Sequence, residues 1–357
     1  MSYEYVHGGD IYDSTGQPNE SQLDFSANIN PLGMPPEVIR AAEDAVKRAD
    51  IYPDSACRKL SNALAAFECV NDNSILCANG ASDLIFRICH ATRPENVIVT
   101  APTFADYERA GSAARAGIIR YPLNEADNFA ITNSIVPVIL TKSPNIVFIC
   151  NPNNPTGNVT KLSVIREIAA ACQSVNAILV IDECFIDFVK DAHKYTAKPL
   201  LHEYKNIVIL KAFTKIFAMP GLRLGYAISE NKELLDLLRF AGPDWPVSNI
   251  AQAAGLAAIS CGIEYIQKTV EYVKNERKSI TAGLLKHGFT VYPSEANFIL
   301  FKCGIDLRGE LLKAGIMIRD CSNYTGLEKG YYRTAVLTSD KNRLLIKAIG
   351  EISSTND

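Results

Sequence analysis

The sequence predicts an α/β protein, a large domain built on a mostly parallel sheet flanked by helices and a smaller α+β domain after it. Three observations predict this. Short apolar, β-branched runs alternate with amphipathic segments through the first two thirds of the chain. The texture then changes to long helical patterns that lead into short strands. The chain's 357 residues, 48% hydrophobic and 21% charged, exceed one ordinary core.

Residues 1–44 lack periodicity and carry Gly8, Gly9, Pro31, Gly33, Pro35 and Pro36. That composition suits an extended arm packed on the rest of the chain. The large domain is expected over residues 45–235. Its strands are read at residues 97–99, 146–149, 177–181 and 207–210, runs too short for helices and apolar enough to be covered on both faces. Residues 81–90, 105–114 and 161–174 have helical spacing and the length of crossovers between parallel strands. Residues 236–357 are expected to form the smaller domain, with helical patterns over 248–260 and 263–287 and strands near Phe298 and Arg333.

Composition narrows the function classes. The chain holds 36 basic and 39 acidic side chains, a formal net charge of −3, with no window dense in Lys and Arg. Nucleic acid is therefore excluded as a main partner, because neutralising phosphates needs clustered cations. No apolar run approaches the roughly 18 residues that span a bilayer, and the first five residues lack the pattern of a signal peptide. No membrane association and a cytoplasmic location are expected. The ten cysteines are scattered, with no C-x-x-C pair, which points to buried reduced thiols and no metal site.

In open α/β sheets ligands sit where strands end, so the residues just after the apolar runs matter most. Gly80, Ala81 and Ser82 open a helix after residues 75–77, offering backbone N–H groups and the positive end of a helix dipole. A plain capped helix would read the same way. Asn151, Pro152, Asn153, Asn154 and Pro155 form a turn after another strand, which leaves Asn154 able to offer an amide N–H to a ligand oxygen. Asp182 and Glu183 stand at the mouth of a buried strand. A carboxylate there needs a cation or strong donor, either a structural ion pair or a protonated ring nitrogen.

Lys215 lies among apolar neighbours after the fourth strand. Desolvation favours its neutral amine, the form that condenses with an aldehyde. Arg223 follows beyond a Pro-Gly turn and suits a phosphate dianion, although capping or snorkelling would explain both cations. Phe104 follows the strand at 97–99, where it would lie against a planar ring or belong to the core.

Together these loops supply what pyridoxal phosphate needs: an amine, an acid for the pyridine nitrogen, donors for the hydroxyl and phosphate, and a stacking face. The motifs Asn-Asn-Pro-Thr-Gly, Asp-Glu-x-Phe and Thr-Lys-x-x-x-x-Pro-Gly-Leu-Arg-x-Gly occur in one order here. In them the chain resembles fold-type I pyridoxal-phosphate enzymes of the aspartate aminotransferase superfamily over almost its whole length. The resemblance implies a seven-stranded sheet and pyridoxal 5'-phosphate as cofactor. It implies that Lys215 carries the cofactor, Asp182 pairs with the pyridinium and Asn154 bonds the ring hydroxyl. Arg223, Thr214, Gly80, Ala81 and Ser82 would hold the phosphate, with Phe104 on the ring. Tyr52 would reach the neighbouring subunit's cofactor, which implies a homodimer; without the resemblance it is an ordinary aromatic before a proline.

The resemblance also bears on the substrate. Arg333 matches the guanidinium that grips the substrate carboxylate in the superfamily, and Arg319 is a second cation at a strand end, implying a second anion. Surface ion pairs are the plain alternative for both. His7, Gly8, Gly9 and Asp10, the segment from Asp24 to Gly33, and Phe185 in place of the usual tyrosine are similar to the threonine-phosphate decarboxylases within that superfamily. That implies a small phosphorylated amino acid substrate held by His7, Gly8, Asn28, Asn154, Arg319 and Arg333, and loss of its carboxylate. His7 is otherwise a tail residue. Histidinol-phosphate aminotransferases share the Lys-to-Arg framework and give the second expectation. A catalytically silent, cofactor-binding regulator is the third.

Overall fold

The computed structural model describes residues 8–12, 15–19 and 21–356. Its centre is a seven-stranded sheet. Across it the order is Ile75–Ala78, Gly225–Ile228, Ile207–Ala212, Ile178–Asp182, Ile146–Cys150, Asn96–Ala101 and Gly117–Pro122. Only Gly225–Ile228 runs antiparallel to its neighbours. The other adjacent pairs are parallel. All four predicted strands are present.

Two apolar layers cover this sheet, which explains why its strands read as unbroken hydrophobic runs. Ile98, Val147, Ile149, Leu179, Ile181, Ile207 and Ile209 point into one layer. Val97, Val99, Phe148, Val180, Val208 and Leu210 point into the other. The alternation follows from the period of two along a strand. The predicted crossovers are the helices Ala81–Thr92, Ala105–Ala113 and Leu162–Ser174.

A four-stranded antiparallel sheet lies C-terminal to it, in the order Arg319–Asp320, Tyr331–Ala335, Phe298–Lys302 and Thr290–Val291. The two helical patterns expected before it are one helix, Asn249–Lys286, of 38 residues. Gly262 does not break it. A Cβ there would lie 3.1 Å from the Phe67 ring, so this glycine serves close packing. Among the described residues no helix is long and apolar enough to cross a membrane.

Among the described residues before Met34 no helix forms. Leu23–Asp24 pairs in parallel with Ile316–Met317, but Pro36–Val46 is a helix that packs on Asn249–Lys286. Pro36 occupies the first helical position, where a missing N–H costs nothing. The proline pair counted with the extended arm here opens a helix.

Candidate active site

The parallel strands end side by side at Ala101, Cys150, Asp182 and Ala212. Beyond them opens a cavity of about 340 Å³, lined by Gly8, Asn28, Ala81, Ser82, Phe104, Asn154, Asp182, Thr214, Lys215, Arg223 and Arg333 among others.

One wall is built by two glycines. Gly80 has φ +82°, and a Cβ on it would lie 2.8 Å from Arg223 Nη2. Gly225 lets the antiparallel strand approach, since its Cβ would meet Ala81 N at 2.6 Å. The guanidinium of Arg223 is thereby set against the start of the 12-residue helix Ala81–Thr92, which has no side-chain cap. A helix N-terminus faced by a guanidinium suits a phosphate dianion. Ser82 Oγ donates to Asp106 Oδ2 at 2.9 Å.

Lys215 stands on the single helical turn Phe213–Ile216, directly after its strand. Burial, helped by the Arg333 and Arg223 charges, lowers its ammonium to about 8. A sizeable neutral fraction at physiological pH follows. Asp182 is 5% exposed. Its Oδ2 accepts from the Tyr107 hydroxyl at 2.7 Å and its Oδ1 from Cys184 N at 2.9 Å. These bonds orient the carboxylate. Glu183 points away and is bound by Thr196 Oγ1 and Ala197 N.

Asn154 is the one asparagine of its turn that lines the cavity. Asn151 Oδ1 accepts from Thr160 N at 2.8 Å, and Asn153 bonds Pro102 and Thr103, so both hold the loop. Asn154 Oδ1 accepts from Arg333 Nη1 and, at 3.5 Å, from the Tyr324 hydroxyl. Its amide NH₂ is then the donor available to a ligand oxygen.

Arg319 and Arg333 are direct cross-strand partners in the smaller sheet. Like charges placed opposite one another destabilise a sheet, a cost that an anion between them removes. Arg333 is 4% exposed, donates from Nη2 to the Ser26 carbonyl at 2.7 Å, and keeps a buried Nε without a partner. Arg319 donates from Nη2 to Asn323 Oδ1 at 2.8 Å and lies over the Tyr324 ring. It lines an adjoining cavity of about 530 Å³ that shares Phe104 and Tyr324 with the first. Asn28 Oδ1 is buried without a partner.

Tyr52 lies outside both cavities, 76% exposed and stacked on Trp245 at 4.5 Å. His7 lies outside the described residues. Two residues here were missed by the sequence reading. Tyr107, stacked on Phe148 at 5.0 Å, anchors Asp182; its signal was a tyrosine on the inward face of a helix, whose hydroxyl needs a buried partner. Tyr324 had no local signal.

Residues 20–349 match the family described as aminotransferase class I and II. The chain belongs to that family. A threonine-phosphate decarboxylase of Salmonella typhimurium is 36% identical to this aminotransferase-family chain, over 98% of it and 97% of that protein. A histidinol-phosphate aminotransferase of Caldanaerobacter subterraneus subsp. tengcongensis is 33% identical, over 98% of each. The crystal structure of the histidinol-phosphate aminotransferase from Clostridium acetobutylicum superposes with a TM-score of 0.87 at 29% identity, covering 93% of this chain and 99% of that one. The fold is that of fold-type I enzymes, and this aminotransferase-family member is an enzyme dependent on pyridoxal 5'-phosphate. The site fits that group: a cradle that a Cβ on Gly80 would fill, an amine lowered to about 8, and an oriented carboxylate in one cavity.

Proposed function

We propose that the enzyme decarboxylates L-threonine O-3-phosphate to (R)-1-aminopropan-2-yl phosphate, a reaction of cobalamin biosynthesis. The observation that carries this reading is the register that sets Arg319, in the adjoining cavity, opposite Arg333, which lines the cavity of Lys215. It suits a substrate with two anionic groups. The likeness to the Salmonella typhimurium decarboxylase favours loss of the carboxylate.

When bound, pyridoxal phosphate supplies an electron sink for the pair released as a bond at Cα breaks. Lys215 would hold the cofactor, Asp182 would keep its pyridine nitrogen protonated, and Asn154 would donate to its ring oxygen. Gly80, Ala81, Ser82, Thr214 and Arg223 would hold its phosphate, and Phe104 would cover the ring. Arg333 and Asn154 bind the substrate carboxylate, while Arg319, Asn28, Gly8 and His7 bind the substrate phosphate. Holding the carboxylate bond across the conjugated plane selects that bond for cleavage. CO₂ leaves, and the Lys215 ammonium returns a proton to Cα. Phe185, buried against Phe298 with ring centroids 5.0 Å apart, offers no hydroxyl where a typical aminotransferase has one.

We further read the enzyme as a cytoplasmic homodimer in which Tyr52 reaches the partner's cofactor phosphate; its exposure beside Ile51 and Trp245 supports this. The chain then divides into an arm over 1–44, a cofactor domain over 45–235 and a small domain over 236–357.

Incubation of the holoenzyme with L-threonine O-3-phosphate tests the reading. CO₂ together with the amino-alcohol phosphate is expected. Amino exchange between histidinol phosphate and a 2-oxo acid, without CO₂, establishes the aminotransferase reading instead, which the 33% identical relative supports. O-Phospho-L-serine, run in parallel to ethanolamine phosphate, measures the discrimination of one methyl group, about 1–3 kcal/mol.

A further inference from the structure

We propose that Asn30 is a positioning residue for Lys215, clasping the turn that carries the amine and tying it to the segment that meets Arg333. The inference rests on the reading of Lys215 as the cofactor-bearing lysine.

Phe213–Ile216 is one helical turn of four residues, too short to hold itself. Its last carbonyls lack intrahelical partners and must be met from elsewhere. Asn30 meets two of them. Its backbone N–H donates to the Lys215 carbonyl at 3.1 Å, beside the local Ala218 N–H, and its side-chain Nδ2 donates to the Ile216 carbonyl at 2.7 Å. The same Nδ2 donates to Thr269 Oγ1 at 2.8 Å, and Oδ1 accepts from Leu32 N at 3.0 Å. The side chain is 3% exposed, so each bond forms where water does not compete.

Four residues earlier the same strand of chain turns to the other half of the site. Ser26 accepts from Arg333 Nη2 through its carbonyl, Ala335 N donates to the Phe25 carbonyl, and Asn28 lines the cavity. Residues 25–30 therefore form a strap from the guanidinium in the smaller sheet to the lysine turn at the end of the larger one. A carboxylate bound at Arg333 and the amine on Lys215 are held in one frame by it. Loosening Asn30 frees the lysine turn without touching Arg333.

Three variants test this in the holoenzyme. Asn30→Ala is expected to lower kcat by about 10–100-fold, with KM changed by less than twofold, because reacting groups misplaced by about 1 Å lose that much. Asn30→Asp keeps the size and the acceptor for Leu32 N but removes both donated bonds, and is expected to match Asn30→Ala. Thr269→Val removes an acceptor away from the lysine and is expected to leave kcat within twofold. In the cofactor-free protein, the pH profile of Lys215 acetylation by acetic anhydride, read by peptide mass spectrometry, is expected to shift in Asn30→Ala and not in Thr269→Val. Unchanged kcat and acetylation in a folded Asn30→Ala overturn the proposal, as do equal effects of Asn30→Ala and Thr269→Val. If Lys215→Ala keeps cofactor absorbance and turnover, the parent reading falls first, and that result is distinct from both.

Discussion

Lys211 and Lys215 stand four residues apart at the end of one strand and lead opposite lives. Lys211 Nζ bonds Glu68 Oε1 at 2.8 Å and Asp187 Oδ1 at 3.0 Å, and Glu68 also receives Lys198 at 2.8 Å and the Tyr226 hydroxyl. Burial opposes the charge of Lys211, yet the carboxylates win and hold its ammonium well above the usual range. Lys215 is buried too, but Arg333 and Arg223 lie on its side and its ammonium falls to about 8. Burial alone does not make a reactive amine; the sign of the surrounding charge decides. One lysine is held as a structural cation, the other is left an amine partly neutral near physiological pH.

The contrast can be broken by exchanging the consequences of losing each. Lys215→Ala should reduce turnover by on the order of 10³-fold or more and remove the cofactor's visible absorbance, with melting little changed. Comparable activity in that variant refutes the covalent role. Lys211→Ala should instead unfold the protein more easily, by about 3–5 kcal/mol in a urea titration, because Glu68 and Asp187 lose their shared cation. Retained stability there would mean that the cluster is solvated.

Smaller changes sharpen the comparison. Tyr107→Phe removes the donor to Asp182 and should lower kcat about tenfold, with a red- or blue-shift of the bound cofactor's band reporting a changed ring environment. An unaltered spectrum and rate would show that Cys184 N alone suffices.

The two clusters also differ in pH. The combination of pyridoxal phosphate with cofactor-free protein should speed up as pH rises through about 8, where the Lys215 amine becomes neutral, and level off above it. Glu68 behaves oppositely. Burial raises its carboxyl, but Lys211 and Lys198 override that and hold it at about 2, below its ordinary 4.5. A depressed carboxyl binds fewer protons folded than unfolded, so its stabilisation is complete above pH 4.5 and is lost as pH falls toward 2. Glu68→Gln should flatten that acid limb, read as melting temperature against pH.

Local chemistry made much of this legible beforehand. The strand ends, the Gly80 turn, Asp182, Lys215 and Arg223 could be found because each follows an apolar run whose end must open on a ligand or on water. The turn of Asn151, Asn153 and Asn154 was legible too, and Asn154, singled out as the donor toward a ligand oxygen, is the one of the three that lines the cavity; that Asn151 and Asn153 hold the loop itself depends on distant partners such as Thr160 and Pro102. The helix Pro36–Val46 was missed because proline at a first helical position and proline in a loop look alike in sequence.

By itself the sequence determined which side chains are present at the strand ends and how the apolar periodicity stacks the layers, since both depend on neighbours a few residues apart. Only the tertiary structure decided the register that sets Arg319 against Arg333, the reach of Ser26 to Arg333 across 307 residues, and the grip of Asn30 on Thr269 across 239. Those contacts join segments that share no local pattern. Their geometry exists only after the chain has closed its long loops and packed its two sheets together.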